Sequence, residues 1–176
     1  AAMVARGDLG VEMPPEEVPL IQKRLVNASR DQGKPIVVAT QMLDSMIDSP
    51  SPTRAEASDV ATAVFDAVDC VMLSAETASG KFPVESVRIM DRIIRGVEND
   101  SSYRQVLNSK KIKLEETTSD AISSAASQVV KTVFAKAIFT YTRSGGTAKR
   151  AARERPTVPI IGLSPERITA RQLALI

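Results

Sequence analysis

Three short polar clusters in this sequence have the residue types to do chemistry together. They are Arg6-Gly7-Asp8 with Leu9-Gly10 behind it, Thr40-Gln41-Met42, and Ser74-Ala75-Glu76-Thr77. Each ends an apolar, β-type run: Ala2 to Ala5, Pro35 to Thr40, and Cys70 to Ser74. A carboxylate, two hydroxyls and glycine-loosened backbone amides suit a hard divalent cation plus an anionic substrate. Singly, each cluster also reads as an ordinary turn or cap. Together on one rim they read as a site. A fourth cluster, Thr142-Arg143-Ser144-Gly145-Gly146-Thr147, lies between a strand pattern and a helix pattern. Hydroxyls, freed amides and a helix N-terminus make an anion cradle there, and a plain glycine turn fits the same residues. The spacing is not that of a Walker A loop. The basic run Lys149-Arg150, Arg153, Arg155 could reinforce an anion site and reads more simply as solvated helix surface.

The elements that must position these groups recur regularly. The three β-type runs end about 34 residues apart, room for one strand, one helix and two loops. Glu16 to Gln32 predicts a helix burying Val18, Ile21, Leu25 and Ala28, with Gly33 as its C-cap. Thr53-Arg54-Ala55-Glu56 predicts a capping box opening a helix to about Ala67. Pro83 to about Asn99 predicts a third helix that starts with Pro near its first position and carries Val84, Val87, Ile89 and Ile93. Repeated strand–helix units give parallel strands with right-handed crossovers, which fits an open doubly wound sheet or a closed barrel. Residues 100–118, Lys/Glu-rich and weakly periodic, read as a linker. A small-residue helix (Ser119 to Thr132), a strand (Ala137 to Tyr141), a helix (Ala148 to Arg153), a strand (Val158 to Leu163) and a last helix near Pro165 then open a second α/β domain. The first strand has no preceding connection and the last helix pattern stops at Ile176, so the expectation is a chain cut at both ends.

Composition removes other functions. The 176 residues are 43% hydrophobic and 25% charged, an ordinary globular balance. A net charge of +2 with 3% aromatics and no Trp argues against nucleic acid and anionic membrane as partners. The absence of His removes Ser-His and Cys-His catalysis and His-ligated metals. The lone Cys70 reads as a core residue, and one cysteine allows no internal disulfide, which suits the cytoplasm. Cell adhesion through Arg6-Gly7-Asp8 would need an exposed loop on a secreted protein, whereas the triplet follows a buried-type strand.

Four segments together resemble one family. Met3 to Glu12 (MVARGDLGVE), Ala39 to Met46 (ATQMLDSM), Pro52 to Glu56 (PTRAE) and Met72 to Thr77 (MLSAET) are similar to pyruvate kinases in order and spacing. The resemblance extends through essentially the whole chain. It implies the last three βα units of a (β/α)8 TIM barrel at residues 1–99, the linker at 100–118, and the start of a regulatory α/β domain at 119–176.

The resemblance also implies phosphoryl transfer from phosphoenolpyruvate to ADP, giving ATP and an enolate that is protonated to pyruvate. It makes Asp8 a ligand of Mg2+ or Mn2+. Arg6, Gly7, Asp8 and Thr40 bind substrate; of the catalytic residues Thr40, Ser74 and Glu76, Thr40 takes part in proton delivery and Ser74 and Glu76 support the hydroxyl and water network. It implies K+ as well, with ligands outside this chain. Arg54 crosses a subunit interface in a homotetramer, and Thr142, Arg143, Ser144, Gly145, Gly146 and Thr147 grip a sugar-phosphate or nucleotide effector. The family's lysine and second metal carboxylate are not in this sequence, so the chain alone is expected to be inactive. The other classes to weigh are a sugar-phosphate-binding regulatory module and an assembly fragment without catalysis.

Overall fold

The computed structural model describes residues 1–109 and 116–176. They divide into two compact units, one drawn from Ala1–Ala28 and Ile36–Lys110, the other from Ser29–Pro35 and Lys111–Ile176. Both are α/β.

The first unit runs β1 (Ala2–Ala5), α1 (Arg6–Glu12), α2 (Val18–Asp31), β2 (Ile36–Ala39), a 3-10 turn (Asp44–Ile47), α3 (Arg54–Phe65), β3 (Cys70–Met72), α4 (Ala75–Ala78), α5 (Pro83–Asn99) and α6 (Ser101–Ser109). The strands lie in the order β1-β2-β3, all parallel, with Ala5 opposite Ala39 and Ala39 opposite Met72. That register brings the chain out of all three strands at the same end of the sheet. Val4, Ile36 and Val38 enter a core completed by Val26, Met42, Leu43, Met46, Val60, Ala63 and Met90.

The helix starts follow local chemistry. Thr53 accepts the amide of Glu56 at 3.2 Å, and the Glu56 carboxylate accepts the amide of Thr53 at 2.7 Å, which is the expected capping box. The same carboxylate takes the amide and hydroxyl of Ser45 at 2.7 and 2.6 Å, so it also fixes the 3-10 turn. Burial pushes the Glu56 carboxyl up, but the bonds from Ser45 and Thr53 outweigh it and hold it below its ordinary value.

Several expectations are corrected. On α2 the buried positions include Gln22 and Val26, whereas Leu25 and Ala28 are exposed and Val18 and Ile21 are half-buried. A polar member of the inward stripe hides its phase. On α5 the buried positions are Ser86, Met90 and Val97, with Ile89, Ile93 and Ile94 packed beside the core, and Val84 and Val87 are exposed. Apolar residues lie on two sides of that helix, so the sequence alone does not say which side faces inward. Cys70 is half-buried at the start of β3 rather than inside the core. Residues 101–109, read as part of a linker, form α6. Asp100 accepts the Ser102 amide at 2.7 Å, and Tyr103 and Leu107 are buried one turn apart, with Tyr103 edge-on to Phe65 at 5.8 Å. Residues 110–115 of the expected linker lie outside the described residues.

The second unit contains α7 (Thr118–Val133), β4 (Ile138–Tyr141), α8 (Gly146–Arg153), β5 (Ile160–Leu163), α9 (Arg167–Gln172) and a closing 3-10 turn (Leu173–Leu175). β4 and β5 are parallel, with Phe139 opposite Ile161 and Tyr141 opposite Leu163. Alternation puts these four on one face, where all are exposed, and Thr140 on the other, where it is buried. Among the described residues no helix is long and apolar enough to cross a membrane.

Candidate functional site

The parallel register delivers Arg6-Gly7-Asp8, Thr40-Gln41 and Ser74-Ala75-Glu76 to one end of the first unit's sheet, where side chains connect them. Gly7 donates its amide to the Thr40 hydroxyl at 2.8 Å, and that hydroxyl donates to the Ala39 carbonyl at 2.6 Å. The expected use of the Gly7 amide on a substrate carboxylate therefore competes with Thr40.

Thr40 and Gln41 have φ of +68° and +55°, consecutive left-handed residues of which neither is glycine. For a β-branched residue this conformation is an outlier that costs on the order of 1–3 kcal/mol and persists only where surroundings impose it. Arg6 supplies much of that constraint. Its Nε and Nη2 donate to the Thr40 carbonyl at 3.1 and 2.9 Å, and Nη2 donates to the Gln41 carbonyl at 2.7 Å. Its Nη1 pairs with Asp59 of α3 at 2.5 Å. Arg6 is buried, and these donors face the protein rather than solvent.

Glu76 is 1% exposed. Its two oxygens accept the amides of Leu43 at 3.1 Å and Ser74 at 2.7 Å, so it ties the loop after β2 to the loop after β3. Gly80 is what lets α4 end over Glu76, because a Cβ there would stand 2.6 Å from the Glu76 carbonyl oxygen. The Ser74 hydroxyl is buried and has no hydrogen-bond partner among the described residues. A buried donor and acceptor left open costs free energy, and beside this rim it is available to a ligand or water.

Asp8 lies in the first turn of α1, exposed, and makes no hydrogen bond or ion pair among the described residues. Among those residues no three acidic or thiol side chains cluster to hold a metal by themselves. A free carboxylate beside hydroxyls fits a hard cation that keeps waters and substrate oxygens, as Mg2+ does. Arg54 is exposed at the first position of α3.

In the second unit, the Thr142 hydroxyl accepts the Gly145 amide at 3.0 Å, shaping residues 142–147 into a closed turn. Gly145 caps α8 at φ +84°, and a Cβ there would meet Leu173 at 3.3 Å, so the position requires glycine. Arg143 is exposed and lies 3.6 Å from Glu166. Arg150 and Arg153, read as solvated surface, are instead drawn onto Asp120 of α7 at 2.9 and 2.8 Å. Asp120 is fully buried and the Arg153 side chain nearly so. Sequence reasoning missed Asp120 and Asp59. Each is a lone acid in a helix, and only its long-range partner gives it meaning.

Two family models match the chain. The model described as "Pyruvate kinase, barrel domain" matches residues 1–87, and "Pyruvate kinase, alpha/beta domain" matches residues 120–176. A pyruvate kinase from Methylorubrum extorquens is 55% identical over 98% of the chain, which covers 36% of that relative. One from Agrobacterium vitis is 54% identical over 99% of the chain, covering 37% of its length. The crystal structure of a pyruvate kinase from Cryptosporidium parvum superposes on 98% of the chain and 35% of its own, with a TM-score of 0.89 at 42% identity. The chain thus spans about 36% of the length of the relatives it matches. With both family models matched in order and relatives at this level of identity along nearly its whole length, the chain belongs to the pyruvate kinase family.

Proposed function

We propose that this chain forms one wall of a pyruvate kinase active site and the first part of its regulatory domain. The observation that carries the reading is the meeting of Asp8, Thr40, Ser74 and Glu76 at one end of a parallel sheet. On this reading residues 1–99 are the last three βα units of an eight-unit barrel, residues 119–176 begin the regulatory domain, and α6 extends the first unit across part of the intervening stretch.

Phosphoryl transfer from phosphoenolpyruvate to ADP depends on positioning and charge neutralisation, for which no histidine is required. Asp8 would hold Mg2+ or Mn2+, which would supply charge neutralisation for the transferred group. The amides of Gly7 and Asp8, at the start of α1, would take the substrate carboxylate, the Gly7 amide exchanging its bond to the Thr40 hydroxyl for one to substrate. The Thr40 hydroxyl carries one proton, given to the Ala39 carbonyl in this structure. Turned toward the enolate, the Thr40 hydroxyl would give its proton to the enolate carbon, the O–H bond breaking as the C–H bond forms, and would regain a proton from solvent water, which the open Ser74 hydroxyl could help to hold at this rim. Glu76 supports this network by holding the Ser74 amide rather than by touching substrate. The remaining machinery, including K+ and the lysine, belongs to parts of the family's enzyme outside this sequence. The chain alone is inactive, and the whole protein is a cytoplasmic homotetramer with Arg54 at a subunit contact.

The experiment is a transplant. Residues 1–176 replace the homologous segment of the Methylorubrum extorquens pyruvate kinase, and Mg2+-dependent pyruvate formation is followed. The chimera should turn over within about tenfold of its parent, a difference of ~1.4 kcal/mol in barrier. A folded, assembled chimera without activity would refute the reading, as would pyruvate formation by the 176-residue chain alone.

The turn at residues 142–147 supports a second role, binding a sugar phosphate or nucleotide. The fixed Gly145 and the amides opening α8 form the cradle. Titrating the chain with fructose 1,6-bisphosphate and ribose 5-phosphate should move the Ser144 to Thr147 amide signals. Signals that stay still with both ligands would remove that role.

A further inference from the structure

We infer that Asp59 is a positioning residue for Thr40: it fixes Arg6, and Arg6 holds Thr40 and Gln41 in their left-handed conformation. The inference deepens the pyruvate kinase reading and rests on it for its catalytic consequence. Two consecutive left-handed residues without glycine revert to extended backbone unless both carbonyls are held. Arg6 holds both, with three donor contacts of 2.7 to 3.1 Å to Thr40 and Gln41. A guanidinium is a rigid fork, so fixing one nitrogen aims the others. Asp59 fixes Nη1 and is the acid paired with Arg6 among the described residues.

Arg6 and Asp59 line a cavity with Gly7 and Gln41, yet the bonds that Arg6 makes run to protein, Nη2 also reaching the Met42 Sδ at 2.9 Å. The Nε and Nη2 donors of Arg6 are directed at the backbone of the loop after β2, and Nη1 is directed at Asp59. Arg6 therefore acts through Thr40. If the loop relaxed, the Thr40 hydroxyl would leave the Gly7 amide and lose its aim. Asp59 is 38% exposed on α3, so neutralising it buries no new polar group and the fold tolerates the change.

Three variants test this: Asp59→Asn, Asp59→Asn with Gln41→Gly, and the control Asp91→Asn, which removes the charge from an exposed pair with Arg95. In the 176-residue chain, the 13Cα and 13Cβ shifts of Thr40 and Gln41 report their backbone conformation. Asp59→Asn should move both toward extended values, and Asp91→Asn should move neither. In the chimera, Asp59→Asn should lower kcat about tenfold or more with KM for phosphoenolpyruvate within about twofold. Glycine at position 41 accepts positive φ freely, so the double variant should recover kcat to within about threefold of the starting chimera.

Unchanged Thr40 shifts in Asp59→Asn would overturn the inference, as would a raised KM with unchanged kcat, the signature of a lost substrate ligand. A loss of kcat not recovered in the double variant would also overturn it. If the unsubstituted chimera is inactive, the pyruvate kinase reading fails while the shifts still decide what Asp59 does.

Discussion

The Glu76 carboxylate bridges the amides of Ser74 and Leu43, one on each of two loops that leave adjacent parallel strands. A fully buried acid here acts as a staple between loops. Glu76→Gln keeps the shape but aims an NH2 group at an amide donor, so one of the two bonds must be lost. The expected cost is about 1–3 kcal/mol, read as a lower midpoint in chemical denaturation. An unchanged midpoint would show that the staple carries no stability.

Asp8 has the opposite character, since it is exposed and supports nothing else in the described structure. Asp8→Asn should leave thermal stability within about 0.5 kcal/mol. The same change in the chimera should weaken Mn2+ binding, followed by paramagnetic relaxation of water, by about tenfold, a loss of ~1.4 kcal/mol. Equal Mn2+ affinity in the two proteins would remove Asp8 from the metal site.

Glu56 makes the first unit acid-sensitive. Its folded carboxyl titrates below its unfolded value, so the folded state binds the proton less readily. The contribution is therefore present above about pH 4.5, where a free Glu is ionised, and is lost as pH falls through the lower folded value. Glu56→Gln should destabilise by about 1 kcal/mol at pH 7, with the gap to the parent closing as pH falls through the lowered folded value. Urea denaturation at a series of pH values measures the gap, and a constant difference across the range would contradict the assignment.

In the second unit, Asp120→Ala takes from the buried Arg153 its 2.8 Å partner and leaves it Glu154 at 3.6 Å. The cost of breaking such a pair is about 3–5 kcal/mol, enough to unfold a small unit. Circular dichroism should show loss of helix from α7 and α8. A variant that melts within a degree or two of the parent would mean the pair is energetically idle.

Much of the site's framework could be read from residues in order. Strand positions, the Thr53–Glu56 capping box and the shared exit of Asp8, Thr40 and Ser74 all depend on local pattern or strand spacing. What stayed hidden depends on partners far away in sequence. Arg6 and Asp59 are 53 residues apart, and nothing near either announces the other. The left-handed pair at Thr40 and Gln41 lacks the glycine or asparagine that normally marks such a turn. On α2 and α5, apolar residues on more than one side left the buried phase undetermined until the sheet beneath them was known. The helix at Ser101–Ser109 was concealed because its inward side is little more than Tyr103 and Leu107 in a polar stretch.

The ribbon formed by β4 and β5 carries Phe139, Tyr141, Ile161 and Leu163 on one open side. Water wets such a side poorly, and flat apolar strands of different molecules attract one another through it. In a concentrated solution of the 176-residue polypeptide, that ribbon is thus the surface through which copies would first adhere, however well each unit holds its shape.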